Sequence, residues 1–300
     1  MGRIASRIRD GAGFDGMLIA LALVYLVLFA ALPMLYTLVM SFQQVDIFTL
    51  GTLARPFVGL RNYLHVLAMP EAARVARNTA IFVALSVFFQ LTIGFALALF
   101  FRQDFPGAST LRGLFLAGWV MPALVVGAIW RWLLAGDFGV INYLLMSLGL
   151  THSAIFWIAD PHVALYSLVI ANVWLGIPFN MLLLSVGLAA IPGDLYEAAA
   201  LDGAGPLQRL GFITLPMMRA TLGAVLALGI IFTLQQYDLV AALTQGGPAN
   251  ASNLAQYWSW QLSFQTYDIA SGSVVAVLMI LVVVLVAILY VRSTRLEHAA

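Results

Sequence analysis

A chain of 300 residues that is 63% hydrophobic and only 9% charged, with a mean hydropathy of +0.99, is not a soluble globular domain, where about a quarter of residues carry charge. It is an integral membrane protein. The formal net charge is +1, cysteine is absent and all fourteen basic residues are arginine, which excludes disulfides, thiolate metal sites and cysteine nucleophiles and also a G-x-x-x-x-G-K-S/T phosphate loop, whose lysine reaches the nucleotide phosphates.

Arg3, Arg7 and Arg9 mark an N-terminal segment, 1–16, expected in the cytoplasm. The uncharged run 17–41 is long enough to cross a hydrocarbon core of ~30 Å. It is too long for the apolar part of a signal peptide and is expected to be retained. Residues 43–77 are broken by Arg55, Pro56, Arg61, Pro70, Glu71, Arg74 and Arg77. Within them Leu60, Tyr63, Leu64 and Leu67 share a helical face suited to the membrane surface.

A second span is expected over 78–101, closed by Arg102 and Asp104, and a third over 113–134, where Trp119, Trp130 and Trp132 fall near the ends, as interfacial indoles do. Arg131 at that edge reads as a snorkelling side chain rather than a pore residue. Residues 136–160 read as a loop with interfacial aromatics. The fourth span, 162–191, holds Asn172, Trp174, Gly176, Pro178 and Asn180 near its middle. A backbone interrupted at that depth needs protein or a water-filled cavity to satisfy it.

A polar-punctuated stretch, 192–219, follows. Asp194 with Glu197 makes a capping box that starts a helix near Leu195, and Ala198, Ala199 and Ala200 extend it. Gly203 and Gly205 supply the positive φ that stops it, and Pro206 suits the first position of the next helix. The result is a bent knob, which on these signals alone is equally a plain connector. A fifth span is expected over 220–242, a turn-rich loop comes next, and a sixth span covers 269–291. Nine arginines then lie on the side of the termini and five opposite, placing both termini and the knob in the cytoplasm.

No nucleophile, base and orienting acid come together, and the acidic residues in the spans are too few for a proton relay. Catalysis within this chain is not expected. His65, His152, His162 and His298 are scattered without metal spacing. Two polar clusters lie within spans: Asn172, Trp174, Gly176 and Asn180, then Thr233, Gln235, Gln236, Tyr237 and Asp238. They serve either as hydrogen-bonding glue between helices or as a binding surface in a wet cavity. Rings beside amides suit a neutral polyhydroxylated solute. Asp238 reads as an interfacial or helix-capping residue.

Glu197-Ala198-Ala199, then Gly203, then Ile213 and Leu215-Pro216 match all seven fixed positions, over twenty residues, of the E-A-A-x₃-G-x₉-I-x-L-P signature. In this the chain resembles the permease subunits of binding-protein-dependent ABC importers. Trp174-Leu175-Gly176, Pro178, Ile191-Pro192, Asp194-Leu195-Tyr196, Asp202-Gly203-Ala204 and Leu243-Thr244-x-Gly246-Gly247-Pro248 resemble the maltose-importer type, and the last of these resembles the first permease of the pair. Val58-Gly59-Leu60-Arg61-Asn62-Tyr63 extends the likeness toward the N-terminus.

The resemblance implies an all-α, polytopic protein of six transmembrane helices with a cytoplasmic coupling helix, in the bacterial inner membrane. It implies a homologous second permease, two ATP-binding subunits that hold ATP and magnesium, an extracytoplasmic solute-binding protein and a sugar-like substrate. No cofactor, metal or nucleic acid is expected on this chain. Contact with the ATPase falls to Glu197, Ala198, Ala199, Asp202, Gly203, Ile213, Leu215 and Pro216. Sugar contacts fall to Asn172, Trp174, Leu175, Gly176 and Phe179 and to Gly229, Phe232, Thr233 and Gln236. Gly229, Thr233 and Gln236 stand where the maltose type has serine or asparagine, so the particular sugar is open. That type's large extracytoplasmic insertion and extra N-terminal spans are absent. The rivals are a permease for a polyol, amino acid or glycerophosphodiester, an ion-coupled secondary carrier, and a non-transporting scaffold.

Overall fold

The computed structural model describes residues 2–52, 55–103 and 105–299, with side chains from 14 to 293. The side chains of Arg3, Arg7, Arg9, Arg295 and His298, and all of Asp104, lie outside the described residues. The described residues form helices, with one isolated bridge between Gln43 and Phe57.

Helix α1, Gly2–Leu26, passes through a π turn into α2, Leu32–Ser41. The stretch Phe14–Ser41 spans about 42 Å at 1.5 Å per residue, and its most apolar window buries none of its residues against the rest of the chain. The surface helix α3, Arg61–Ala68, is tied to the end of α2: Asn62 donates to the carbonyls of Ser41 and Gln43, and Tyr63 Oη pairs with Ser41 Oγ at 2.8 Å. Leu60, Leu64 and Leu67 are exposed, as the amphipathic pattern predicts. Tyr63 departs from that face to meet Ser41.

Helix α4, Ala72–Phe101, starts six residues before the expected second span. Its polar first turns are anchored by a later loop, since Arg74 donates to the Ala249 carbonyl and the buried Asn78 amide to those of Asn250, Ala251 and Asn253. The third span, expected straight over 113–134, is instead two helices, α5 Ala108–Trp119 and α6 Ala123–Leu133, at 96° to each other. Pro122 lies at the start of α6 with extended ψ, and its missing N–H cannot continue α5. In the loop that follows, α7, Val140–Ser147, presents buried Asn142, which accepts from Trp157 Nε1 at 2.9 Å and donates to the carbonyls of Gly136 and Ile155.

Helix α8, Ala164–Ala189, runs unbroken through Pro178, against the interruption expected there. Asn180 Nδ2 donates to the Gly176 carbonyl and Gln90 Nε2, from α4, to that of Asn172, so neighbouring amides serve the backbone of the turns that lead into the proline. Then come α9, Gly193–Leu201, and α10, Pro206–Arg209, followed by a π turn and α11, Leu215–Met217. Helix α12, Arg219–Leu234, stands at 69° to the segment before it. The fifth span, expected over 220–242, stops at Leu234, and α13, Asp238–Leu243, resumes after a break at Gln235–Tyr237. Helix α14, Ala255–Trp260, and a π turn lead to α15, Ile269–Ala299. Among the described residues four helices are long and apolar enough to cross a membrane, and the two bent pairs make six if each counts as one span.

Of the four apolar clusters among the described residues, the two largest lie at different levels of α4 and α8. Phe82 of α4 and Leu165, Leu168 and Val169 of α8 meet Val126 of α6 and Leu239, Val240 and Leu243 of α13 in one. Ala98 and Phe101 of α4 and Met181, Leu184 and Leu188 of α8 meet Met218 and Val225 in the other. Between the two, α4 and α8 are keyed together: a Cβ on Gly176 would overlap the Gln90 amide, and one on Gly94 would lie 2.8 Å from Asn180 Cβ. The offset of four residues has the same sense on both chains, so these helices run parallel, as small residues at membrane interfaces allow.

Candidate functional site: a cavity between two cores and a surface knob

The stretches of α4 and α8 that belong to neither core border a cavity of about 410 Å³. Of the residues expected to meet solute, Asn172, Leu175, Gly176, Phe179, Gly229, Phe232, Thr233 and Gln236 line it. Trp174 does not: it is 42% exposed, faces Gly118 and stands edge-on to Trp130 at 6.4 Å. Its place is taken by Trp119, which the 96° bend carries from the expected interface into the cavity wall.

One wall is aromatic. Trp119 stacks on Phe179 at 5.1 Å, and Phe179 meets Phe232 edge-on at 5.6 Å. The remainder is largely polar, with Gln90, Asn172, Asn180 and Thr233 buried and Gln235, Gln236, Tyr237 and Asp238 supplied by the break after α12. That break matters chemically, because a helix cannot offer four consecutive side chains to one space. Asn172 Nδ2 and Asn180 Oδ1 are sealed from solvent without a hydrogen-bond partner. Such a group costs about 1–3 kcal/mol, which a rearrangement admitting a hydroxyl would remove.

Gln90 escaped the sequence reading although it signals itself as the only amide within the apolar stretch of its span. Trp119 had a signal too, in the Gly118 and Pro122 that flank the bend. Among the described residues no group of three or more His, Asp or Glu side chains is placed to hold a metal ion.

The knob is folded by its own backbone. Pro192, not Asp194, precedes the first turn of α9, no side chain caps it, and the helix starts at Gly193. At the other end Gly203 has φ +79°, with Ala204 N donating to Ala199 O at 2.8 Å and Gly203 N to Ala200 O at 3.1 Å, a Schellman closure. Gly205 is extended at φ −72°, so one positive φ suffices. The side chain of Gln208 accepts from Gly205 N at 2.8 Å and starts α10. Glu197, Ala198, Asp202, Gly203, Leu215 and Pro216 are exposed, Ala199 is half-buried and Ile213 packs on the second core.

Two features of the knob were not foreseen. Tyr196 is fixed on both sides, its hydroxyl 2.9 Å from Thr214 Oγ1 and its ring under the Arg102 guanidinium at 4.3 Å, which joins α9 to the end of α4. Leu201, Leu207 and Phe212 are 91%, 82% and 83% exposed. Large apolar side chains this bare on a short knob mark a surface that another molecule covers.

Residues 90–296 match the family described as "Binding-protein-dependent transport system inner membrane component". The chain is 34% identical over 287 residues to the trehalose/maltose transport system permease protein MalF of Thermococcus litoralis, with 94% of each covered. It is 30% identical to the sulfoquinovosyl glycerol transport system permease protein SmoG of Agrobacterium fabrum, over 93% of this chain and 89% of that one. A chain of a bacterial ABC transporter involved in the import of the acidic polysaccharide alginate has the same fold, with TM-score 0.80 at 18% identity, over 96% of this chain and 98% of that one.

Proposed function

The chain belongs to the family of inner membrane components of binding-protein-dependent transport systems, and from that premise we propose that it is the transmembrane subunit of an ATP-driven importer of a sugar or sugar-like solute. The observation that carries the proposal is that the Trp119–Phe179–Phe232 aromatic group and the amide cluster line one cavity between two apolar cores. Rings stack on the apolar face of a pyranose, while amides both donate to and accept from its hydroxyls. A site halfway along the bundle is where alternating access needs one.

ATP is bound and hydrolysed in two separate subunits, a second, homologous permease completes the pathway, and an extracytoplasmic binding protein delivers the solute. The bare Leu201, Leu207 and Phe212 around α9 suit the ATPase groove. Closure of the ATPases moves α9. Tyr196 carries that motion to α4 through Arg102 and to the start of the fifth span through Thr214. Both termini and the knob then lie in the cytoplasm, and the loop after α13 lies outside.

The test is isolation of the chain from its native membrane, with identification of what accompanies it and measurement of sugar-stimulated ATP hydrolysis. An ATPase and a second permease are expected, with Trp119→Ala weakening sugar stimulation about tenfold, a typical loss for one stacking ring, and Trp174→Ala weakening it far less. Solute accumulation by the purified chain alone, on an ion gradient, overturns the proposal.

A further inference from the structure

We infer that the cavity sorts sugars by charge and that Asp238 is the residue that does so, favouring amino sugars over neutral ones and neutral over acidic ones. The inference rests on the sugar-importer reading above and narrows its substrate class.

Asp238 opens α13, immediately after the break that brings Gln235, Gln236 and Tyr237 to the cavity, and it lines the same space. Among the described residues it is the one charged side chain in the lining, which contains no arginine or histidine. Its side chain is exposed to the space that solute enters. The same space is lined by Trp119, Phe179 and Phe232, whose low dielectric response relative to water concentrates the field of a nearby charge. A uronic acid or sulfonated sugar brings a like charge into that field, and this chain's described lining offers no cation to receive it. A protonated amino sugar brings the opposite charge, and a neutral sugar is unaffected to first order.

Asp238 is also the acidic residue of the first turn of α13, where a carboxylate complements the helix end. Asparagine is isosteric, so Asp238→Asn removes the charge and keeps the local shape at a cost to the helix end of about 0.3–1 kcal/mol.

The experiment uses the importer isolated from its native membrane and held in detergent without its binding protein, so that delivery does not select the solute. Three glucose disaccharides are titrated at low ionic strength: the neutral one, one with a primary alcohol oxidised to a carboxylate, and one with a 2-amino group. Indole fluorescence reports binding, and Trp119→Phe identifies the part that arises in the cavity. The expected order is amine, neutral, acid, with amine and acid at least about tenfold apart, a separation that added salt narrows. In Asp238→Asn the three converge. In Asp238→Glu the order persists.

Equal binding of all three by the unaltered protein overturns the inference and leaves the sugar reading intact, as does an order that Asp238→Asn does not change. Absence of binding by any of the three, together with no sugar-stimulated ATP hydrolysis, overturns the sugar reading itself.

Discussion

Gly176 shows how one missing side chain shapes the cavity. The space its Cβ would occupy is filled by the amide of Gln90, which in turn donates to the Asn172 carbonyl at 2.8 Å. Gly176 lines the cavity as expected of a sugar contact, and it also admits a polar side chain from another helix. Gly176→Ala should expel Gln90 and destabilise the importer by about 1–3 kcal/mol, the cost of a buried hydrogen bond broken on one side. Combining it with Gln90→Ala should recover part of that, because the overlap is gone. A thermal-unfolding cycle on the purified complex measures the coupling, and strict additivity of the two changes would contradict this contact. The polar residues of the fourth and fifth spans were readable as a group, since amides are rare in lipid-facing helices. The identity of the stacking indole was not: Trp119 and Trp174 both sit in apolar runs, and only the direction of the chain after Pro122 decides which ring enters the cavity.

At the scale of elements, existence was legible and shape was not. Hydropathy fixed where the spans lie, because length and lack of charge suffice for that. It is blind to direction, so the bend at 120–122 and the break at 235–237 fall within stretches expected as continuous helix, whereas the bend at 218 lies at the expected border between the knob and the fifth span. The knob was predictable in outline from Gly203 and Pro206, whereas its start was misplaced by two residues because Asp194 lies within the first turn instead of ahead of it. Helix α9 is more than an exposed lever, because Arg102 ties it to α4, the helix that also carries Gln90. Tyr196→Leu should therefore raise the number of ATP molecules hydrolysed per solute imported without dissociating the complex, whereas Tyr196→Phe, which keeps the ring under Arg102, should retain most of the coupling. A cation over a ring at an exposed site is worth about 0.5–1 kcal/mol, so a several-fold effect on the ratio is the expected size. Equal ratios for Leu and Phe would show that the ring carries no load.

For the molecule as a whole, the proposed orientation rests on arginine placement and has a direct check. The chain contains no cysteine, so single cysteines report sidedness without background. Leu201→Cys, on the bare knob, should react with a membrane-impermeant maleimide only in inside-out vesicles stripped of ATPase, and Ala249→Cys, at an exposed position of the loop after α13, only in intact spheroplasts. The opposite pattern would invert the topology and move the proposed docking surface to the wrong compartment.

The parallel pair α4 and α8 bears on how such a bundle can change shape. With Gln90 seated over Gly176 and Asn180 over Gly94, one turn further along both helices, axial slippage of a few ångströms would drive side chains into backbone at two levels at once. The next commensurate position is a whole pitch away, about 5.4 Å. These two helices therefore travel together as a strut, and flexing is left to the places where the ladder of backbone hydrogen bonds is already interrupted. Two of those joints, at 120–122 and 235–237, adjoin the chamber itself. A gate hinged there can swing on a few dihedral angles while the strut, and the lipid packed around it, stays undisturbed.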